Sequence, residues 1–300
     1  MRLITNGERN MLKSHFKSIY RIPEIISYVN EITSIYTYKY ENLVIYVYYR
    51  KNKDYLNISK IQRIIKRAYK VTDSKFFIIH LMLSPAKKEF EFDKIMTAKN
   101  VNSGFTYAKN NEIFIFRKEE FPKVIIHELI HHQILIDNQE FKPENKDKLM
   151  NHFNIDKNTI LILNETIVEL WALIVHLTAI SNEYKINIKT LFDLELRYSC
   201  FKSYQILTLQ EQYKNQKWCD RCNIYSYIIF KMIIMMNLND FFKTYTYPYD
   251  DTKITNFLIK HSNSLYNLKI LKPYNPEFIW KNKKIKRPLN SLCFMMFSDF

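Results

Sequence analysis

Phe121-Pro122-Lys123-Val124-Ile125-Ile126-His127-Glu128-Leu129-Ile130-His131-His132-Gln133-Ile134-Leu135-Ile136 is the stretch that decides how this 300-residue chain is read. It contains no glycine, and its single proline sits where a first helical turn needs no N–H donor. Glu119 and Glu120 suit the positive end of the helix dipole. The spacing therefore predicts a helix over about 119–137. On such a helix, residues four apart lie about 40° apart around the axis and about 6 Å along it, so His127 and His131 can present imidazoles to one metal ion. Glu128 cannot easily join the same tetrahedral set but reaches the open coordination position, where a carboxylate can take a proton from water. If these were merely polar residues on a buried helix, each would cost about 1–3 kcal/mol unpaired. A metal removes that penalty.

A second stretch, Leu163-Asn164-Glu165-Thr166-Ile167-Val168-Glu169-Leu170-Trp171, lies in a glycine-free apolar segment from about Thr159 to Ile180. Glu165 and Glu169 fall on one helical face, and two carboxylates on a core helix repel and desolvate badly unless something cationic faces them. Zinc and its histidines supply such charge; the alternative for the pair alone is a solvated acidic edge of an amphipathic helix. Together the motifs resemble the gluzincin branch of the zincin metallopeptidases, in which H-E-x-x-H on one helix is completed by the glutamate of N-E-x-x-x-D on another. The resemblance implies zinc held by His127, His131 and Glu165, with Glu128 as general base and Glu169 as an outer carboxylate orienting a ligand histidine. It implies zinc-dependent hydrolysis of a peptide bond in a peptide or protein substrate. Glutamate stands at 169 where aspartate is commoner, and its longer arm can still accept an imidazole N–H. The resemblance also implies that the 112–117 strand or its hairpin partner forms a shelf for extended substrate, and that a tyrosine of the helical half, Tyr225 or Tyr227, steadies the oxyanion.

Upstream of the motif, Ser103–Ala108 and Glu112–Arg117 read as strands joined through Lys109-Asn110-Asn111. Gly104, one of only two glycines, signals special dihedrals or close backbone approach, or more simply an ordinary turn. His132 lies about 140° around the helix from His127, which makes it an outer or surface residue rather than a ligand. His176 lies about 16 Å along the axis from Glu165 and reads as a hydrogen-bonded core histidine. Earlier segments predict a strand pair, Ser34–Tyr40 and Leu43–Tyr49, then a helix over Asn57–Tyr69 capped by Asn57 and a strand over Phe76–Leu83. Downstream, helices are expected over about 159–180, 190–214 and 223–243. The class is α+β: a sheet-containing part, 1–137, ends in the metal helix, and a mainly helical part, 138–300, carries the third ligand. This order is similar to zincin architecture, with the metal site at the junction.

With 47% hydrophobic residues and no linker or repeat, the chain suits one large domain or two closely packed subdomains. The first residues lack an apolar signal core. The longest apolar run, Ile228–Met236, is short and contains Lys231, so it reads as a buried helix, and no membrane span is expected. An intracellular, cytoplasmic location follows as the expectation. The four cysteines suit a reducing compartment, and Cys219-Asp220-Arg221-Cys222 with Cys200 and Cys293 reads as free thiols rather than a zinc knuckle. A net charge of +15 with 22 tyrosines would suit nucleic acid, but no nucleic-acid motif accompanies it, and part of the excess follows a composition rich in lysine, asparagine, isoleucine and tyrosine. The cluster Lys281–Arg287 suits an acidic partner, and acidic peptides are the expected substrates. Two other classes compete: a zincin fold kept for binding without turnover, and a basic nucleic-acid-binding protein with a structural zinc. A structural site would normally carry four protein ligands.

Overall fold

The structure, a computed structural model, describes residues 1–19, 22–70, 75–90, 94–107, 110–133, 142–212, 214–244, 250–270 and 291–297. In chain order its elements are β1 (Arg2–Leu3), α1 (Asn6–Ile19), α2 (Pro23–Glu31), β2 (Ser34–Tyr40), β3 (Leu43–Tyr49), α3 (Ile58–Tyr69) and β4 (Phe77–Ser84). There follow β5 (Met96–Thr97), α4 (Ala98–Val101), β6 (Gly104–Tyr107), β7 (Glu112–Arg117), α5 (Phe121–Gln133), α6 (Pro143–His152), α7 (Leu163–Tyr184) and α8 (Ile188–Gln212). The last are β8 (Asp220–Arg221), α9 (Lys231–Met236), α10 (Leu238–Thr244), α11 (Asp251–Lys260) and α12 (Asn263–Ile270). The chain is mixed α and β, with an N-terminal mixed sheet and a helical C-terminal half. It divides into two compact units, one built from Met1–Lys88 and Ala98–Ile136, the other from Glu89–Thr97 and Asp137–Phe297.

In the first unit the described strands form a sheet in the order β1-β2-β3-β4-β7-β6. β3, β4 and β7 run parallel, while β1, β2 and β6 pair antiparallel to their neighbours. Alternation along β7 sends Ile113 and Ile115 to one face and Phe114 and Phe116 to the other. Ile61, Ile64 and Ile65 of α3 and Val124, Ile125 and Leu129 of α5 close the first face. Leu12 and Phe16 of α1 and Ile25 and Val29 of α2 close the second. Parallel central strands need both faces covered, which is why these strands read as nearly continuous apolar runs. The helix over 58–69 begins as expected, with the Asn57 side chain accepting from the Lys60 N–H. α1 and α2 were not foreseen.

α5 begins later than the sequence suggests. Glu120 has φ 58, a left-handed conformation that cannot belong to the helix. Its buried carboxylate accepts from Lys88 Nζ at 2.7 Å, so it serves an internal ion pair instead of the helix dipole. The expected helix end at 134–137 lies outside the described residues, as does Lys281–Arg287.

The second unit is mainly helical, with the short pair β5 and β8 parallel. α7 is the one helix among the described residues long and apolar enough to cross a membrane, and 67% of its apolar window is buried in the protein, as befits a core helix. The continuous helix expected over 223–243 is instead a π-helical turn at Ser226–Phe230 followed by α9 and α10. The break falls at Asn237, whose Nδ2 donates to Ile233 O at 2.9 Å and to Ser264 Oγ at 3.0 Å. A side chain that bonds to the backbone in this way competes with continuation of the helix.

Candidate metal centre

The apolar positions 121, 124, 125 and 129 lock α5 onto the sheet and fix the roll of the helix. His127 and His131 thereby share one side, with their rings 4.8 Å apart at 71° and their Nε2 atoms 3.1 Å apart. This is the spacing of an imidazole–imidazole hydrogen bond, and it is also close to the separation of about 3.3 Å at which two nitrogens bound tetrahedrally to one ion at about 2.0–2.1 Å would stand. His127 and Glu128 are buried and His131 is half-buried.

Glu128 is placed from the neighbouring strand. Gly104 opens β6 without a positive φ, so it is not there to make a turn. Its backbone instead lies so close to α5 that a Cβ would sit 3.0 Å from Glu128 Oε1 and 2.9 Å from Val124 Cγ1. Thr106, two positions on and hence on the same strand face, bonds through Oγ1 to His132 Nε2. Because that hydroxyl donates to Glu112 O at 3.0 Å, it accepts from the His132 N–H. His132 is therefore no surface residue: it is buried, set edge-on to Phe77, and ties α5 to β6. Burial, then the neighbouring His131 and Lys75, hold its pKa down.

On α7, Asn164 and Glu169 are buried and Glu165 is half-buried. Glu169 Oε1 lies 3.5 Å from Lys231 Nζ, which also donates to Phe294 O at 3.0 Å. For Glu169, then, the facing cation is a buried lysine. The available sequence signal was Lys231 itself, a lone charge inside the apolar run 228–236. Tyr227 is buried and stacked on Phe294 at 5.0 Å. Tyr225 donates its hydroxyl to Gln210 Oε1 at 3.2 Å. His176 is a core residue bonded to Phe297 O at 3.3 Å, as expected.

The four cysteines are free. Burial pushes the Cys219 and Cys222 thiols up, away from the thiolate form that metals bind. Among the described residues, His127, His131 and Glu165 form a group that could hold a metal ion. Comparison with protein-family models, with curated proteins and with solved structures yields no match to this chain.

Proposed function

We propose that the protein is a zinc-dependent metallopeptidase of the gluzincin kind, with His127, His131 and Glu165 as metal ligands and Glu128 as general base. The observation that carries this is the convergence of the two Nε2 atoms at 3.1 Å on a helix whose intervening Glu128 is buried against Gly104. Two imidazoles and one carboxylate, three protein ligands with a position left open, make a donor set that favours catalytic zinc. A bound zinc ion supplies a Lewis acid that polarises the peptide carbonyl and acidifies water towards neutral pH. Glu128 accepts a proton from the attacking water and passes it to the departing amine. Tyr227 is assigned as the donor to the oxyanion, and Glu169 as the carboxylate that orients a ligand histidine. Among the described residues β6 ends the sheet, so its outer backbone groups can pair with an extended peptide.

The test has two arms. Elemental analysis of purified protein should find about one zinc per chain, lost in a folded His127→Ala, His131→Ala double variant. Glu128→Gln should keep the zinc while cleaving a quenched fluorescent peptide library about 10²–10⁴-fold more slowly. Unchanged zinc in the double variant would overturn the ligands, and wild-type cleavage by Glu128→Gln would overturn the base.

A further inference from the structure

Residues 291–297 lie against the helical unit, and buried side chains of that unit read their main chain. Glu195, Tyr198 and Lys202 of α8, spaced three and four apart and so on one helical face, are all buried. Lys202 Nζ donates to Ser291 O, the Tyr198 hydroxyl donates to Cys293 O at 3.0 Å, and the Glu195 carboxylate accepts from the Met296 and Phe297 N–H groups, both at 2.7 Å. The segment thus runs antiparallel to α8, with donors set against its carbonyls and a carboxylate against its N–H groups. Lys231 of α9 donates to Phe294 O at 3.0 Å, and His176 of α7 bonds to Phe297 O at 3.3 Å. Hydrogen bonds to charged groups are the strong ones, and here they fix the main chain on both sides of the Phe294 ring. That ring is buried and stacks on Tyr227 at 5.0 Å and 26°. Tyr227 stands in the π-helical turn Ser226–Phe230, an uncommon geometry that recurs at functional sites. The turn is tied to the helix of the third proposed ligand, since Oγ1 of Thr166, the neighbour of Glu165, donates to Ser226 O at 3.1 Å. Tyr227 is therefore held from α7 through the adjacent carbonyl and from the 291–297 segment through its ring.

We infer that Phe294 is a positioning residue of the proposed peptidase site, holding the Tyr227 ring so that its hydroxyl meets the developing oxyanion; the inference rests on the function proposed above. A donor acts on such an oxygen only at about 2.7–3.1 Å, and a misplacement of about 1 Å can cost about 100-fold in rate. The Phe294 carbonyl that Lys231 uses is untouched by a change of side chain, so Phe294→Leu removes the ring alone. Peptide cleavage, zinc content and urea midpoints would be measured for the parent, Phe294→Leu, Tyr227→Phe and the double variant, with Phe294→Met replacing the leucine change if that variant does not fold. Phe294→Leu should keep its zinc and lower kcat about tenfold or more, with KM nearly unchanged. In the Tyr227→Phe background the same change should cost less than about twofold in kcat while lowering the urea midpoint about as much as it does in the parent, because only catalysis passes through the hydroxyl. A residue that served the fold alone would cost the same factor in kcat in both backgrounds. That result, or a Phe294→Leu variant cleaving at the parental rate, would overturn the inference and leave the zinc ligands and Glu128 in place. A parent without peptidase activity would overturn the proposed function, and this inference with it.

Discussion

Gly104 has no room for a methyl group. An added Cβ would meet Ile115 Cδ1 and Val124 Cγ1 at 2.9 Å and Glu128 Oε1 at 3.0 Å, and neither strand nor helix can retreat without disturbing the core behind it. Gly104→Ala should therefore lower the unfolding free energy by about 1–3 kcal/mol, and adding Val124→Ala should cost less than the sum of the two changes. Denaturant titration of the three variants measures this, and a Gly104→Ala protein as stable as the parent would show that the contact relaxes freely. His80 carries a pH dependence of its own. It is buried, its Nδ1 meets the Tyr48 hydroxyl at 2.9 Å, and its ring stacks on Phe114 at 4.4 Å. Desolvation first, and the nearby His15 second, bring its pKa down to about 4 from 6.5. The fold thus favours the neutral ring, while the unfolded chain takes up its proton as pH falls through 6.5. Stability from this group is complete above that point and declines between about 6.5 and 4, by about 3 kcal/mol in all. Urea midpoints measured across this window should fall more steeply for the parent than for His80→Gln. Parallel curves would remove His80 from the acid response.

Among the elements, α7 and α9 are joined by a pair whose two ends are both buried, Glu169 and Lys231. Removing one partner takes a buried counter-charge from the other, whereas removing both takes the pair away together. Lys231→Met alone should destabilise by about 3–5 kcal/mol, and Glu169→Leu with Lys231→Met should recover most of that loss. The double variant also separates two roles for Glu169. If the carboxylate orients a ligand histidine as well as pairing with Lys231, zinc affinity in the refolded double variant should fall about 10–100-fold; unchanged affinity would leave Glu169 as Lys231's partner only. The same elements show where a sequence can be read directly. The strand pair around Glu41-Asn42, the Asn57 cap and the 104–117 hairpin depend on neighbours in the chain, so turn residues and alternation reveal them. The four-residue spacing of His127 and His131 likewise fixes their shared face. Gly104 and Lys231 owe their meaning to contacts with distant segments, which no local pattern encodes. The break at Asn237 depends on Ser264, and the φ of Glu120 on Lys88, so helix ends at both places were misread. α1 and α2 were passed over although Leu12 and Phe16, and Ile25 and Val29, stand four apart as a helical face requires.

For the molecule as a whole, 45 basic residues stand against 30 acidic ones. The buried pairs Lys88 with Glu120 and Lys231 with Glu169 cancel internally and contribute little outside. The formal net charge is +15, and the Lys281–Arg287 stretch contributes to it. A net positive charge raises the local concentration of anionic ligands and speeds their capture, without adding any contact at the proposed catalytic groups. If the protein cleaves peptides as proposed, an acidic member of a charge-graded peptide series should be hydrolysed faster than its basic counterpart at low salt. The difference should appear in kcat/KM, with kcat nearly unchanged, because steering acts on encounter. Raising the salt from about 0.1 M to about 1 M shortens the screening length from about 10 Å to about 3 Å, so the advantage of the acidic peptide should collapse while the neutral one is little affected. Equal rates for acidic and basic peptides at low salt would mean that the excess charge lies where no substrate feels it, and would leave the proposed zinc ligands untouched.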